Sequence, residues 1–196
     1  MPQEIKLGII TDNYYLYLGV KGVLFNALGE RYLRLSRIKS YDFDSSSHCN
    51  FDIFLIDVNS VNSCFSKSLG CGLKILYLVS NLNHGFFDEG SSVNVDLELK
   101  RFTMKLLINF RLLSDCELDN KDIAIYPAKL NRLNRNQVVI INKVLMGQDM
   151  RDISSYIKSS VKYAYNNRTK ALGKLGLCNL QGLHSIKHFI DMKLLE

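Results

Sequence analysis

Three short apolar runs govern what this chain can fold into. Residues 5–10 read IKLGII, residues 51–58 read FDIFLIDV and residues 73–79 read LKILYLV. Each has the length and composition of a buried strand. Between the first two, TDN marks a turn, and residues 14–28 carry Leu16, Val20, Val23, Leu24, Ala27 and Leu28 at helical spacing. Residues 31–38 alternate apolar and polar, with Tyr32, Leu33, Leu35 and Ile38 as the apolar members, and predict a further strand. Residues 40–50 are rich in Ser, Asp and Asn and read as a loop. Residues 81–94 are turn-rich with weak patterning. Residues 101–113 set Phe102, Leu106, Ile108 or Asn109, Phe110 and Leu113 along an amphipathic closing helix. Alternating strand and helix signals predict an α/β unit with a mostly parallel sheet.

The pattern breaks at residues 114–129, SDCELDNKDIAIYPAK, which carry charges, Asn and Pro127. A linker is expected there. The divided chain then has an α/β unit at 1–113 and a second unit at 130–196. A total of 196 residues with 47% hydrophobic and 22% charged side chains suits two small domains with real cores. The second unit reads as four short helices. Residues 134–146 place Val138, Ile141, Val144 and Leu145 on one face, with Gly147 as a stop. Asp149 caps a helix running to Ile157, and Ser159 or Ser160 caps a third from Val161 to Leu175, ended by Gly176. Asn179 opens a fourth, carrying Leu183, Ile186, Ile190 and Leu194. The second and third, joined by a three-residue turn, have helix-turn-helix proportions.

Charge follows the same division. Residues 1–120 hold 12 Lys and Arg against 14 Asp and Glu, a net −2; residues 121–196 hold 13 against 5, a net +8. The second unit is therefore the one suited to a polyanion. No apolar run approaches the ~20 residues that span a bilayer. The N-terminus lacks a secretory layout, so a cytoplasmic protein without membrane contact is expected. Five scattered cysteines without CxxC spacing predict free thiols. His184 and His188 stand at i,i+4, but no acid or cysteine nearby completes a metal set. Neither a nucleophile–base pair nor a Gly-rich phosphate loop is visible, so no enzyme activity and no cofactor are expected.

Residues 133–179 resemble, without gaps, the LuxR/FixJ-type DNA-binding domain. The resemblance rests on Leu133, Ile140, Ile141, Gly147, Ile153, Ile157, Ser160, Lys174-Leu175-Gly176-Leu177 and Asn179. The stretches GQDMRDIS and SSVKYAYNNRTKALGKLGLCN look most like capsule-synthesis and envelope-stress regulators of the RcsA/RcsB kind; mucoid-phenotype regulators are a similar group. Departures are Tyr163-Ala164-Tyr165 where Thr-Val-Lys is usual, Asn167 where many members have His, and Arg168 where an apolar residue is usual. Residues 5–110 more weakly resemble a degenerate response-regulator receiver. That resemblance places Asp57 at the phosphoryl-acceptor position and Ser80 near the switch residue. Thr11 and Asp12 stand where an acidic pair holds Mg²⁺, and Lys100 is a loose candidate for the receiver lysine.

The resemblance implies a third helix inserted into the DNA major groove. Tyr165, Asn166 and Thr169 then face the bases, with Tyr163 at the helix start. Asn166 suits a bidentate contact with adenine, and Thr169 a thymine methyl. Lys162, Arg168, Lys170 and Lys174 are the expected phosphate contacts, and four of these give a log–log salt slope of about −3.6 per protomer. Dimerisation through the fourth helix is implied, as a homodimer or with an RcsB-type response regulator, with RNA polymerase as a further contact. The leading expectation is an auxiliary transcription activator of capsule or exopolysaccharide genes acting without phosphorylation. Two alternatives stand beside it. One is a phosphorelay regulator phosphorylated on Asp57, with Asp12 and Asp57 on Mg²⁺. The other is a protein-only adaptor that pairs with a regulator without reading DNA.

Overall fold

The computed structural model describes residues 4–42, 51–61, 74–115 and 132–190. The chain divides into two compact units, Met1–Asn81 with Phe87–Ile125, and Leu82–Phe86 with Tyr126–Glu196. Most of the segment expected as a linker lies outside the described residues.

In the first unit the chain runs β1 (Ile5–Ile10), α1 (Tyr14–Leu28), β2 (Leu33–Ile38), β3 (Ile53–Asp57), β4 (Lys74–Val79), β5 (Ser92–Asn94) and α2 (Leu99–Asp115). The strands form one parallel sheet in the order β2-β1-β3-β4-β5. Leu7 and Ile9 of β1, Ile53 and Leu55 of β3 and Leu76 and Leu78 of β4 face one way. They form a core with Val20 and Leu24 of α1 and Phe102, Leu106 and Phe110 of α2. On the alternate positions Ile10, Phe54, Ile56, Ile75, Tyr77 and Val79 are also buried. Burial on both faces explains why these strands are near-continuous apolar runs rather than alternating ones.

Gly8 has a packing reason. A Cβ there would sit 2.8 Å from the ring of Phe54, which is fully buried and has little room to move. Gly8→Ala is expected to cost about 1–3 kcal/mol. Urea denaturation checks this, and an unchanged midpoint would show that the ring gives way freely.

Two details differ from the sequence expectation, and a third settles an alternative it left open. The strand expected from residue 31 starts at Leu33, because Glu30–Tyr32 form a 3-10 turn. β5 was not visible in the turn-rich stretch, being only three residues long. In α2 the inward position belongs to Asn109, and Ile108 is 53% exposed. The Asn109 amide donates to the carbonyls of Glu89 and Ser92, each at 3.0 Å. It thereby satisfies backbone acceptors beside β5 that an isoleucine would leave bare.

The second unit holds α3 (Arg135–Leu145), α4 (Met150–Tyr156), α5 (Val161–Leu175), α6 (Leu180–Ser185) and α7 (Lys187–Ile190). Each of the first four is N-capped by a short polar side chain: Asn134, Asp149, Ser160 and Asn179. Gly176 ends α5 in the left-handed conformation, φ 74°. Ile140, Ile141, Val144, Ile153, Ala164, Ala171, Leu175 and Leu183 are among the buried residues. The single fourth helix expected from Asn179 is instead two pieces, α6 and α7, divided at Ile186 (φ −106°, ψ 10°). His184 and His188 consequently fall on different helices. Leu194 lies outside the described residues, as do all the cysteines except Cys178, whose thiol is free and exposed.

The turn between α4 and α5 carries backbone strain. Lys158 has φ 50°, the left-handed region, and is the only such non-glycine residue among those described. Its side chain is exposed. Lys158→Gly removes the Cβ conflict, and the expected gain is about 0.5–1 kcal/mol after the flexibility of glycine in the unfolded chain is set against it. Thermal unfolding reads this directly, and a fall in midpoint would refute it.

Candidate nucleic-acid interface and the acidic cluster of the first unit

α5 divides its surface sharply. Ala164, Ala171 and Leu175 are fully buried, and Leu172 nearly so. On the opposite side Lys162, Tyr163, Tyr165, Asn166, Thr169 and Lys170 are exposed. Lys162, Asn166, Thr169 and Gly173 follow i,i+4 and i,i+3 steps, which stack them in one strip along the helix. Gly173 adds no side chain at the end of that strip, and nothing lies within 4 Å of its Cβ position. The short residues at 164 and 171 let α5 lie close to its neighbours, and their small size leaves the polar residues on the outward arc.

Within that arc the side chains are partly ordered. The Asn136 amide approaches the Tyr163 hydroxyl at 3.4 Å. The Thr169 hydroxyl donates to the Tyr165 carbonyl at 3.2 Å, which leaves its methyl as the group free to turn outward. Asn167 is buried, and its amide donates to the Tyr163 carbonyl at 3.1 Å. That explains why a polar residue is tolerated there: its donor is satisfied within the helix.

Two of the four expected phosphate contacts are placed differently from the others. Arg168 is half-buried, with its guanidinium 4.8 Å from the centre of the Tyr165 ring and its Nε buried without a hydrogen-bond partner. It stands beside a groove that Thr169, Leu172, Leu177 and Leu180 also line. Lys174 donates to Gln137 Oε1 at 2.8 Å and to the Arg132 carbonyl at 3.1 Å. Of the four, Lys162 and Lys170 are exposed on the same arc as Asn166.

The first unit gathers polar side chains at the carboxyl ends of β1 and β3. The strand order reverses between these two strands, the place where open α/β sheets present a crevice. Asp57, 5% exposed, occupies it. Its Oδ2 accepts from the Thr11 hydroxyl at 2.8 Å and the Ser60 hydroxyl at 2.7 Å, and its Oδ1 accepts from the Asn59 N–H at 3.1 Å. Thr11 is fully buried. Asp12 turns elsewhere: its carboxylate accepts from the Ser40 N–H at 3.0 Å and the Ser40 hydroxyl at 2.7 Å. Arg37 clamps the loop by donating to the carbonyls of Thr11 and Asp12, at 3.2 and 2.7 Å. Its guanidinium also lies 5.3 Å from the Tyr14 ring.

These donors do not fit a Mg²⁺ ion. Asp12 and Asp57 each spend their oxygens on separate hydroxyl and amide groups, and a hard cation needs several oxygens converging on one point. Among the described residues no three His, Cys, Asp or Glu side chains gather. Lys100 lies exposed in the first turn of α2, and Ser80 follows the end of β4. The sequence singles out Asp57, with Thr11 and Asp12 at the positions of the acidic pair. It misses Ser40, Ser60 and Arg37, which carry no motif and are brought in only by the fold.

No protein-family model matches this sequence, and no curated protein matches it. Solved structures do. A complex of the two-component response regulator RcsB with DNA superposes with a TM-score of 0.59 at 15% identity, covering 94% of this chain and 98% of that one. A structure of two RcsB dimers bound to two parallel DNAs gives 0.58 at 14% identity over the same shares. RcsB from Salmonella enterica serovar Typhimurium, bound to a promoter in the presence of a phosphomimetic, gives 0.57 at 12%, covering 96% of this chain and 100% of that one. The likeness fixes the fold along nearly the whole chain: an α/β unit followed by a helical unit. Among the described residues no helix is long and apolar enough to cross a membrane.

Proposed function

We propose that this protein is a DNA-binding transcription regulator that docks α5 in the major groove. The observation that carries the reading is the division of α5. Small residues sink one side into the unit, while Lys162, Tyr165, Asn166, Thr169 and Lys170 stand together on the other. That arc offers amide and methyl groups for base edges and cations for phosphates. The +8 balance of residues 121–196 supplies the sequence-independent attraction. The solved RcsB–DNA complexes, which share the fold, support the same reading. Resemblance to regulators of the RcsA/RcsB kind makes capsule or exopolysaccharide genes the proposed targets, in the cytoplasm. The proposed assembly is a dimer, with itself or with an RcsB-type response regulator, in contact with RNA polymerase. The first unit acts as an unphosphorylated scaffold, a reading supported by the hydrogen bonds that occupy Asp57.

The test is a titration of the full chain against a labelled capsule-type promoter duplex and a scrambled duplex. Fluorescence anisotropy is read over a salt series, with and without an RcsB-type partner. Preferential binding to the promoter is expected. With Lys162 and Lys170 as the phosphate contacts, α5 contributes a log–log slope of about −1.8 per protomer. Tightening by the partner would indicate a heterodimer. An absence of binding under every condition refutes the proposal and leaves the adaptor reading.

A further inference from the structure

The first turn of α3 is tied to both ends of α5. Near the start of α5 the tie is the contact between Asn136 and Tyr163. Near its end Lys174 donates to Gln137 Oε1 and to the Arg132 carbonyl. Gln137 is only 2% exposed and has a second duty. Its Oε1 also accepts the Asn134 N–H at 3.1 Å, while the Asn134 side chain accepts the Gln137 N–H at 2.9 Å. This reciprocal pair is the capping box that starts α3. One amide oxygen thus serves the cap of one helix and the last turn of another.

Resting on the DNA-reading assignment, we propose that Lys174 is a positioning residue for α5 and not a phosphate contact. To reach a phosphate its ammonium would leave two acceptors, one of them on a buried amide, and that exchange returns little. While it stays, α5 is locked against α3. Asn166 lies eight residues from Lys174, about 12 Å along the helix axis at ~1.5 Å per residue. A small tilt at the lock therefore moves Asn166 measurably, and functional geometry of this kind tolerates only about 0.5 Å of error. The lock acts on base preference, whereas Lys162 and Lys170 act on affinity for any duplex.

The experiment compares the full chain with Lys174→Met, Lys174→Arg, Gln137→Met and Lys170→Met. Each is titrated against preferred and scrambled duplexes over a salt series. Lys174→Met is expected to lower the preference about tenfold, the scale of one mismatched base pair, with the salt slope unchanged. Gln137→Met, which removes the acceptor, should repeat that loss, and Lys174→Arg should restore the preference. Lys170→Met should instead lower the slope by about 0.9 and keep the preference. A slope loss of that size in Lys174→Met overturns the proposal, as does a full preference in Gln137→Met. If the unmodified chain binds no duplex, the DNA reading itself has failed. The lock is then judged by amide hydrogen exchange: Asn134 and Gln137 should exchange faster in Lys174→Met, and unchanged rates would refute it too.

Discussion

Asp57→Ala is expected to destabilise the first unit by about 2–4 kcal/mol, because three hydrogen bonds to one buried carboxylate are lost together. The Thr11 and Ser60 hydroxyls and the Asn59 N–H all converge on that group. Thr11 is fully buried, so its hydroxyl has no ready access to water once the carboxylate is gone. Asp57→Asn should cost less. It keeps the volume, and both hydroxyls can reverse to suit an amide. Thr11→Val, which removes one donor and keeps the shape, should fall near the lower end, at about 1–2 kcal/mol. Chemical denaturation of the full chain orders the three variants. If Asp57→Ala unfolds at the same denaturant concentration as the unmodified chain, the carboxylate is not the structural pin described.

The same variant separates the scaffold reading from the phosphorelay reading. A phosphoryl acceptor must present an unencumbered oxygen, and a cation must neutralise the charge that develops during transfer. Here both Asp57 oxygens are engaged, and Asp12, the nearest candidate for a second metal ligand, is held by Ser40. Incubation with a small phosphodonor and Mg²⁺ should therefore leave the intact mass unchanged. A phosphoryl adduct on the unmodified chain that disappears in Asp57→Ala would reinstate the phosphorelay.

The strands and α5 were legible in the sequence for different reasons. FDIFLIDV and LKILYLV announce themselves because strands covered on both faces need apolar residues at every position. α5 was legible from its ends: Ser160 and Gly176 are both cap residues, and the helix runs between them without a break. β5 was not, since three residues of SVN carry no periodicity and their pairing to β4 is made by backbone alone. The division of α6 from α7 was hidden for the opposite reason. Leu183, Ile186 and Ile190 keep helical spacing across the break, and all three are buried, so packing hides a change in backbone that spacing alone does not reveal. At the candidate interface, composition showed which side chains are cationic but not where each ends. Lys174 and Lys170 look alike in the sequence. Only the partners at 2.8 and 3.1 Å distinguish the one that is occupied.

For the proposed reading surface, Asn166→Ala is expected to cost about 1–3 kcal/mol at one base position, between several-fold and a hundredfold in affinity, and to relax preference there alone. Asn166 is exposed at the centre of the arc, between Lys162 and Lys170 along the helix. Its amide presents a donor and an acceptor side by side, which matches the N7 and N6 pair of adenine in the major groove. Flanking cations hold the helix near the backbone without preferring a sequence, so their loss weakens every duplex alike. A panel of duplexes substituted one base pair at a time distinguishes the two kinds of loss. The unmodified chain should show a sharp minimum in binding when the contacted adenine is replaced, and Asn166→Ala should flatten that minimum while the remaining positions keep their profile. An unaltered profile would remove Asn166 from the reading surface and leave base choice to Tyr165 and Thr169, whose ring and methyl group offer shape and apolar contact rather than a paired hydrogen-bond code.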